Sequence, residues 1–138
     1  MRNHVGGRGI LDNALMAAYC KPNISAAGRK RRVIVGWVGA GLTALGLGAA
    51  VVLHVPWYLR ALVALPALAS ASGFIQASRN TCMMRAADGT FEHDDFTATP
   101  APADEVEASR KVSREIKRDV VLVGLAVGLL AAATAWVA

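Results

Sequence analysis

Aromatic residues make up only 6% of this chain, although 54% of it is hydrophobic. A soluble domain of this length would spread its apolar residues at core-facing positions. Here they are Ala, Val, Leu and Gly gathered into blocks, which excludes an ordinary soluble core. Only two cysteines are present, Cys20 and Cys82, too few for a disulfide framework. Asp, Glu and Lys are missing from the interior of every apolar block, which counts against a proton-coupled transporter or an ion channel. A Gly-rich phosphate loop, a Ser/His/Asp set and a catalytic carboxylate pair are also lacking, so no catalytic residue is assigned and an enzyme acting alone is not expected. His93 with Asp94 and Asp95 has neither i,i+4 spacing nor a second His or Cys, and reads as a solvated acidic loop instead of a metal site. His54 has no second axial ligand that would hold a haem and reads as a turn residue. No metal or cofactor is expected.

What is there begins with Arg29, Lys30, Arg31 and Arg32, set directly before residues 33–55, a run free of Asp, Glu, Lys and Arg. A basic cluster against such a run reads as the cytoplasmic flank of a transmembrane helix. At 1.5 Å per residue the run is about 34 Å long, close to the roughly 30 Å hydrocarbon core. His54, Pro56 and Trp57 make a tight turn into a second span, residues 57–78, with Trp57 and Tyr58 suited to the interface. Arg60 is expected to snorkel outward and Pro66 to kink the helix. Residues 33–78 are therefore a helical hairpin. Residues 79–103, acidic and Pro-containing, read as an irregular cytoplasmic linker. From Asp104 to Ala138 the pattern is one helix. Glu107, Lys111 and Glu115 are spaced for i,i+4 pairs, Val106, Val112 and Ile116 give a sparse apolar stripe, and a third span completes it. Such a rod would be about 52 Å long and project roughly 22 Å beyond the hydrocarbon.

The head, residues 1–32, is basic, and Ile10, Leu11, Ala14, Leu15 and Ala18 within it follow the spacing of a short interfacial helix. Asp12 and Asn13 interrupt its apolar stretch, so the first span is expected to serve as an uncleaved targeting signal. The head holds seven Lys and Arg, residues 79–118 hold seven more, and Arg60 alone lies toward the opposite side. The positive-inside rule then puts the amino terminus and long loop in the cytoplasm and the carboxyl terminus outside. The expected fold is all-α, with three transmembrane helices, the third extended into the cytoplasm. The net charge of +5 sits beside the apolar runs, so anionic lipid headgroups, met by Arg29, Lys30, Arg31, Arg32, Lys117 and Arg118, are the expected partners and nucleic acid is not.

Small residues recur every fourth position: Gly36, Ala40, Ala44 and Gly48 in the first span, Ala69, Gly73 and Ala77 in the second, Gly124, Gly128 and Ala132 in the third. Each set shares a helix face where another backbone can approach closely. Three helices need one mutual core, so surplus small faces point to other subunits or self-association. Thr43, Ser70 and Ser72 are expected to bond backbone carbonyls. Cys20 and Cys82 lie near basic residues at cytoplasmic helix ends, which admits a reactive-thiol reading beside that of inert, part-buried residues.

Asn23-Ile24, then Arg29, Arg32 and Gly36, with Gly73 and Thr81-Cys82 further on, resembles the YgaP-like inner-membrane domain family. Its pattern opens N-V-G-x-x-[DE]-R-x-x-R-x-x-x-G and closes near a Thr-Cys pair. Ser25 and Gly28 stand where that pattern has Gly and an acidic residue. The resemblance covers residues 23–82 and implies a two-helix hairpin that associates through helix faces. Some members accompany a rhodanese domain handling sulfane sulfur, which makes a thiol-dependent sulfur-handling or transport auxiliary the alternative function. The main expectation is a non-catalytic accessory or scaffolding subunit of a larger inner-membrane complex, of respiratory or photosynthetic type.

Overall fold

Ser25 starts the first helix, α1 (Ala26–Val52). Its hydroxyl accepts a hydrogen bond from the Gly28 amide at 3.0 Å, satisfying one of the amides a helix leaves open at its start. The helix therefore begins in the basic cluster and runs unbroken into the apolar run. It stops at Leu53 and His54. His54 takes the left-handed conformation, φ 50°, and Pro56 caps the next helix. A computed structural model describes residues 23–136 of the chain. The interfacial helix expected in the head, and Cys20, lie outside those residues.

The second rod is built of α2 (Trp57–Arg60), a 3₁₀ turn (Ala61–Val63) and α3 (Ala64–Ser78). Pro66 has no amide to give to the turn before it, and the 3₁₀ stretch falls in that turn. After it come α4 (Met83–Asp88) and two antiparallel strands, β1 (Thr90–Glu92) and β2 (Ala98–Pro100), with Phe91 opposite Thr99. Gly89 ends α4 in the left-handed conformation, φ 67°. A side chain there would also press on Val106 at 3.0 Å, so both conformation and space call for glycine. The last helix, α5 (Ala103–Ala133), carries Asp104 and Glu105 in its first turn, where they oppose the positive end of the helix dipole, and finishes in a 3₁₀ turn (Thr134–Trp136).

Helix accounts for 78% of the described residues. Three helices, Ala26–Val52, Trp57–Ser78 and Ala103–Trp136, are long and apolar enough to cross a membrane. The molecule has a charged end, holding the start of α1, α4, the strands and the first turns of α5. The opposite end holds the turn between α1 and α2 and the close of α5.

Three expectations need correcting. Residues 79–103 are not irregular: a six-residue helix and a β-hairpin occupy them, so the fold is mostly helical, not all-α. Thr90, Phe91 and Thr99 favour extended backbone, and the tip is folded by its own polar groups, with Phe96 N donating to His93 O at 2.9 Å. Nor do the first turns of α5 stand bare. Helix α4 lies along them, Ser113 Oγ donates to Met83 O at 2.6 Å, and Ile116 is 0% exposed. Ala71, Ile116 and Val120 form the core with Leu68, Ile75, Met83 and Val112 around them. Along the charged stripe, Glu115 reaches Arg79 at 3.6 Å, and among the described residues no ion pair joins it to Lys111. Arg60, finally, does not snorkel. It is buried, 3% exposed, with Nε donating to Val55 O at 2.7 Å and Nη1 to Thr134 Oγ1 at 3.0 Å. It pins the turn to the end of α5.

Candidate functional site

The small residues of α1 divide into two groups. Gly36 and Gly39 face α3 at close range. A Cβ on Gly39 would meet Ser70 N at 2.6 Å and Pro66 O at 2.9 Å, and one on Gly73 would meet Gly36 N at 2.6 Å. Backbones this close admit no side chain. Ser70 Oγ adds a bond across the contact to Gly36 O at 2.9 Å, while Thr43 Oγ1 bonds its own helix at Gly39 O, 2.7 Å. Ser72 instead accepts from Gln76 Nε2 at 2.6 Å. Farther along, Ala40 is half-buried, Ala44 and Gly48 are exposed, and a Cβ on Gly41 or Gly48 would touch nothing within 4 Å. The stripe of four thus starts in the helix contact and rotates out of it.

On the other two helices the sets behave differently. Gly73 and Ala77 are buried and Ala69 is exposed. Gly124 faces the Leu68 side chain so closely that a Cβ would overlap it, and Gly128 meets the Ala64 Cβ at 3.1 Å. Ala132 is half-buried beside them. The small face of α5 is therefore packed against the second rod of the same chain. Among the described residues, the uncovered one belongs to α1.

At the charged end a second feature gathers residues far apart in sequence. Asn23 Oδ1 accepts from Cys82 N at 2.6 Å, and Asn23 Nδ2 donates to Cys82 O at 3.3 Å. Asn23 O also accepts from Glu92 N at 2.9 Å, and Asn23 N donates to Asn80 O at 3.1 Å. This one residue ties the start of α1 to the end of α3 and to β1. Arg32 forms a two-pronged pair with Glu92, at 3.4 and 3.3 Å, and Arg85 approaches the same carboxylate at 3.9 Å. A Cβ on Gly28 would run into the Glu92 carboxylate. Glu92 thus delivers a carboxylate to the space beside Gly28.

Beside this corner is an open cleft of about 210 Å³, with Arg31, Arg32, Ser72, Gln76, Glu92 and Phe96 in its wall. Arg31 stands over the Phe96 ring at 5.8 Å, a cation–π distance. Phe96 is in the left-handed region, φ 63°, unusual for a bulky residue. Cys82 is buried and free. Among the described residues no three His, Cys, Asp or Glu side chains gather as metal ligands; His93 Nε2 shares a hydrogen bond with Thr99 Oγ1 at 3.0 Å. His54 is an exposed turn residue.

Of the basic flank, Arg29, Lys30, Arg31, Lys117 and Arg118 are exposed, whereas Arg32 is spent on Glu92. Arg118 pairs with the neighbouring Asp119 at 3.0 Å, and Asp119 takes Arg79 at 2.6 Å. Gln76, Glu92 and Ser113 were not singled out from the sequence, and Asn23 only as the opening residue of a family pattern. Only Glu92 offered a signal, as an acid beside strand-forming residues. No family model, no curated protein and no solved structure matches the chain.

Proposed function

We propose that this protein is a non-catalytic accessory or scaffolding subunit of a larger assembly in the cell's inner membrane, docked through the face of α1 that its own chain leaves uncovered. The observation that carries this reading is the contrast between Gly39, pressed against α3, and Gly41 and Gly48, with open space where a neighbour would be. In lipid, helices associate through close van der Waals fit more than through apolar burial, and a glycine face offers that fit. The charge tally of fourteen Lys and Arg to one supports a cytoplasmic position for the charged end, with exposed Arg29, Lys30, Arg31, Lys117 and Arg118 available to anionic headgroups. Likeness to the YgaP-like family supports the same use of helix faces.

Extraction in mild detergent should recover the protein with larger partners. Ala44→Leu and Gly48→Leu should release them while leaving its helix content unchanged. Recovery of the wild type only as an isolated monomer, or full retention of partners by both variants, rejects the reading. A reporter active only outside the cytoplasm should work after Ala138 and fail near Thr97; the reverse would overturn the orientation.

A second reading, a thiol-dependent sulfur-handling or transport auxiliary, is favoured by one observation: Cys82 is a free thiol fixed through its backbone by Asn23 at the corner where the charged ends meet. Burial denies reagents easy access to it, so the reading requires the corner to open. Alkylation of Cys82 at the rate of an ordinary exposed thiol or slower, together with unchanged sulfur handling in Cys82→Ser, removes it.

A further inference from the structure

Three elements wall the cleft at the charged end: α1 with Arg31 and Arg32, α3 with Ser72 and Gln76, and the hairpin with Glu92 and Phe96. Hydrogen bonding fixes what these groups can offer an occupant. The Met83 amide can only donate, and it reaches Gln76 Oε1 at 3.2 Å. The other end of that side chain is therefore Nε2, which donates to Ser72 Oγ at 2.6 Å. Gln76 is buried, 7% exposed, and cannot turn over without losing both bonds. Ser72 is thus held as the acceptor toward Gln76, and its own hydroxyl proton is what it has to give to a third group.

The charges in the wall point the same way. Glu92 is engaged, because both of its carboxylate oxygens take a bond from Arg32, at 3.4 and 3.3 Å, and Arg85 stands 3.9 Å away. Arg31 is exposed and lies over the Phe96 ring, 5.8 Å from its centroid. That stacking restrains the side chain and leaves the edge N–H groups of the guanidinium to other acceptors. Among the described residues the wall holds two guanidinium groups and one carboxylate, so its balance is positive and the groups it can spare are donors.

Such a wall suits a small anion with several acceptor oxygens. At about 210 Å³ the cleft is below the roughly 300 Å³ at which sites for whole small molecules begin. It has room for a charged group and not for an extended ligand. Val35, also in the wall, belongs to the uncharged run 33–55. The cleft therefore straddles the boundary between that run and the basic cluster, the level at which headgroup phosphates lie beside a spanning helix.

We propose that this cleft seats one phosphate ester, its oxygens accepting from the Arg31 fork on α1 and the Ser72 hydroxyl on α3, with Arg32 adding charge but no bond. Arginine is well matched to phosphate oxygens. The ester comes either from the headgroup of an anionic phospholipid or from a soluble phosphate monoester. This narrows to one site the headgroup contact suggested for the basic flank. It makes no use of the α1 face at Ala44 and Gly48, so this site and the docking face fail separately.

The test uses the full chain in maltoside micelles, which carry no phosphate, with the Gln76 side-chain amide followed by NMR. sn-Glycerol 3-phosphate and dioleoylphosphatidylglycerol are titrated separately. A saturable shift is expected, and the probe that saturates at the lower concentration identifies the source. Arg31→Gln should weaken binding about fivefold, the contribution of one basic residue near a membrane surface, and Arg31→Lys should keep part of it. Ser72→Val should weaken binding about tenfold, the loss of one hydrogen bond to a charged group, whereas Ser72→Thr keeps the hydroxyl and most of the affinity. Arg29→Gln and Lys30→Gln, on the basic flank but outside the wall, should leave it unchanged. The proposal is overturned if neither probe gives a saturable shift, or if sodium acetate at equal ionic strength reproduces it. Affinity that survives Arg31→Gln or Ser72→Val overturns it as well. So do losses in Arg29→Gln or Lys30→Gln as large as in Arg31→Gln, which would reduce the site to diffuse attraction by the flank.

Discussion

The charged half of this molecule and its turn half are held in different ways. Toward the charged end, α1 and α3 touch backbone to backbone, with Gly73 and Gly36 too close for any side chain. Polar ties from Asn23, Arg32, Arg79 and Ser113 then fasten the loop and α5 to them. Toward the turn the helices ease apart. A Cβ on Gly46 would find its nearest neighbour, Val63, at an ordinary 3.6 Å, and one on Gly48 would find nothing. There a single buried cation is held by neutral oxygens. One half completes its own contacts. The other leaves a helix face, among the described residues, to be completed by its surroundings, and that is where partners are proposed.

The sharpest break of this comparison is a pair of identical substitutions. Gly73→Leu forces a side chain into the backbone of α1, where neither helix can yield without separating. A loss of about 3 kcal/mol is expected, toward the upper range for overpacking. Gly48→Leu should change stability by less than about 0.5 kcal/mol, because its site is open. Reversible unfolding in mixed detergent micelles measures both. Equal losses would mean that α1 is gripped along its whole length and that the two halves do not differ.

A second substitution pair sharpens the account of the charged end. Glu92→Ala removes the carboxylate that Arg32 and Arg85 share and leaves Arg32 part-buried without its counter-ion. The expected loss is about 2 kcal/mol, within the range for stranding a hydrogen-bonded charge. Gly28→Asp alone should also destabilise, since its side chain collides with Glu92. Combined with Glu92→Ala, it should recover part of the loss, because the new carboxylate lies one turn from Arg32 on the same helix. A double variant that is simply the sum of the two singles would show that the space around Arg32 does not take a carboxylate from either source.

Much of this architecture is legible in the sequence, and the parts that are not share a cause. The apolar rods show themselves through local runs, and Trp57–Ser78 falls where the uncharged stretch and its flanking Trp and Arg put it. Val112 and Ile116 announce that α5 has a covered face ahead of its apolar stretch, but not what covers it. The cover is a six-residue helix, too short for periodicity to reveal. The strands have three residues each, also below that limit. At the corner, Asn23 meets Cys82 across 59 positions and Arg32 meets Glu92 across 60, and no local pattern encodes such pairings. The fourfold spacing of small residues identifies faces that can approach another helix. Which of them do so depends on how the rods cross, and the crossing at Gly39 rotates Ala44 and Gly48 away.

The smallest effect is expected at the hairpin tip, where the charged end meets solvent and its ties should be weakest. Asp95 Oδ1 accepts from the Thr97 hydroxyl at 2.6 Å and from the Thr97 amide at 3.0 Å. The hydroxyl bond first, then the amide, holds the Asp95 carboxyl below its ordinary pKa. A carboxylate whose folded pKa is depressed contributes its ordering only while ionised. The contribution is whole above the unfolded value of about 3.9 and fades as pH falls through the lower folded value. The Thr97 amide resonance should therefore titrate with a midpoint below that of an ordinary aspartate. Thr97→Val, which removes the leading bond and keeps the amide, should move the midpoint upward. Because the tip is exposed, the resonances of Ile116 and Val120 in the core should not follow. If they do follow with the same midpoint, the tip is coupled to the helices, and the division between a tightly tied interior and a loosely tied rim fails at the charged end.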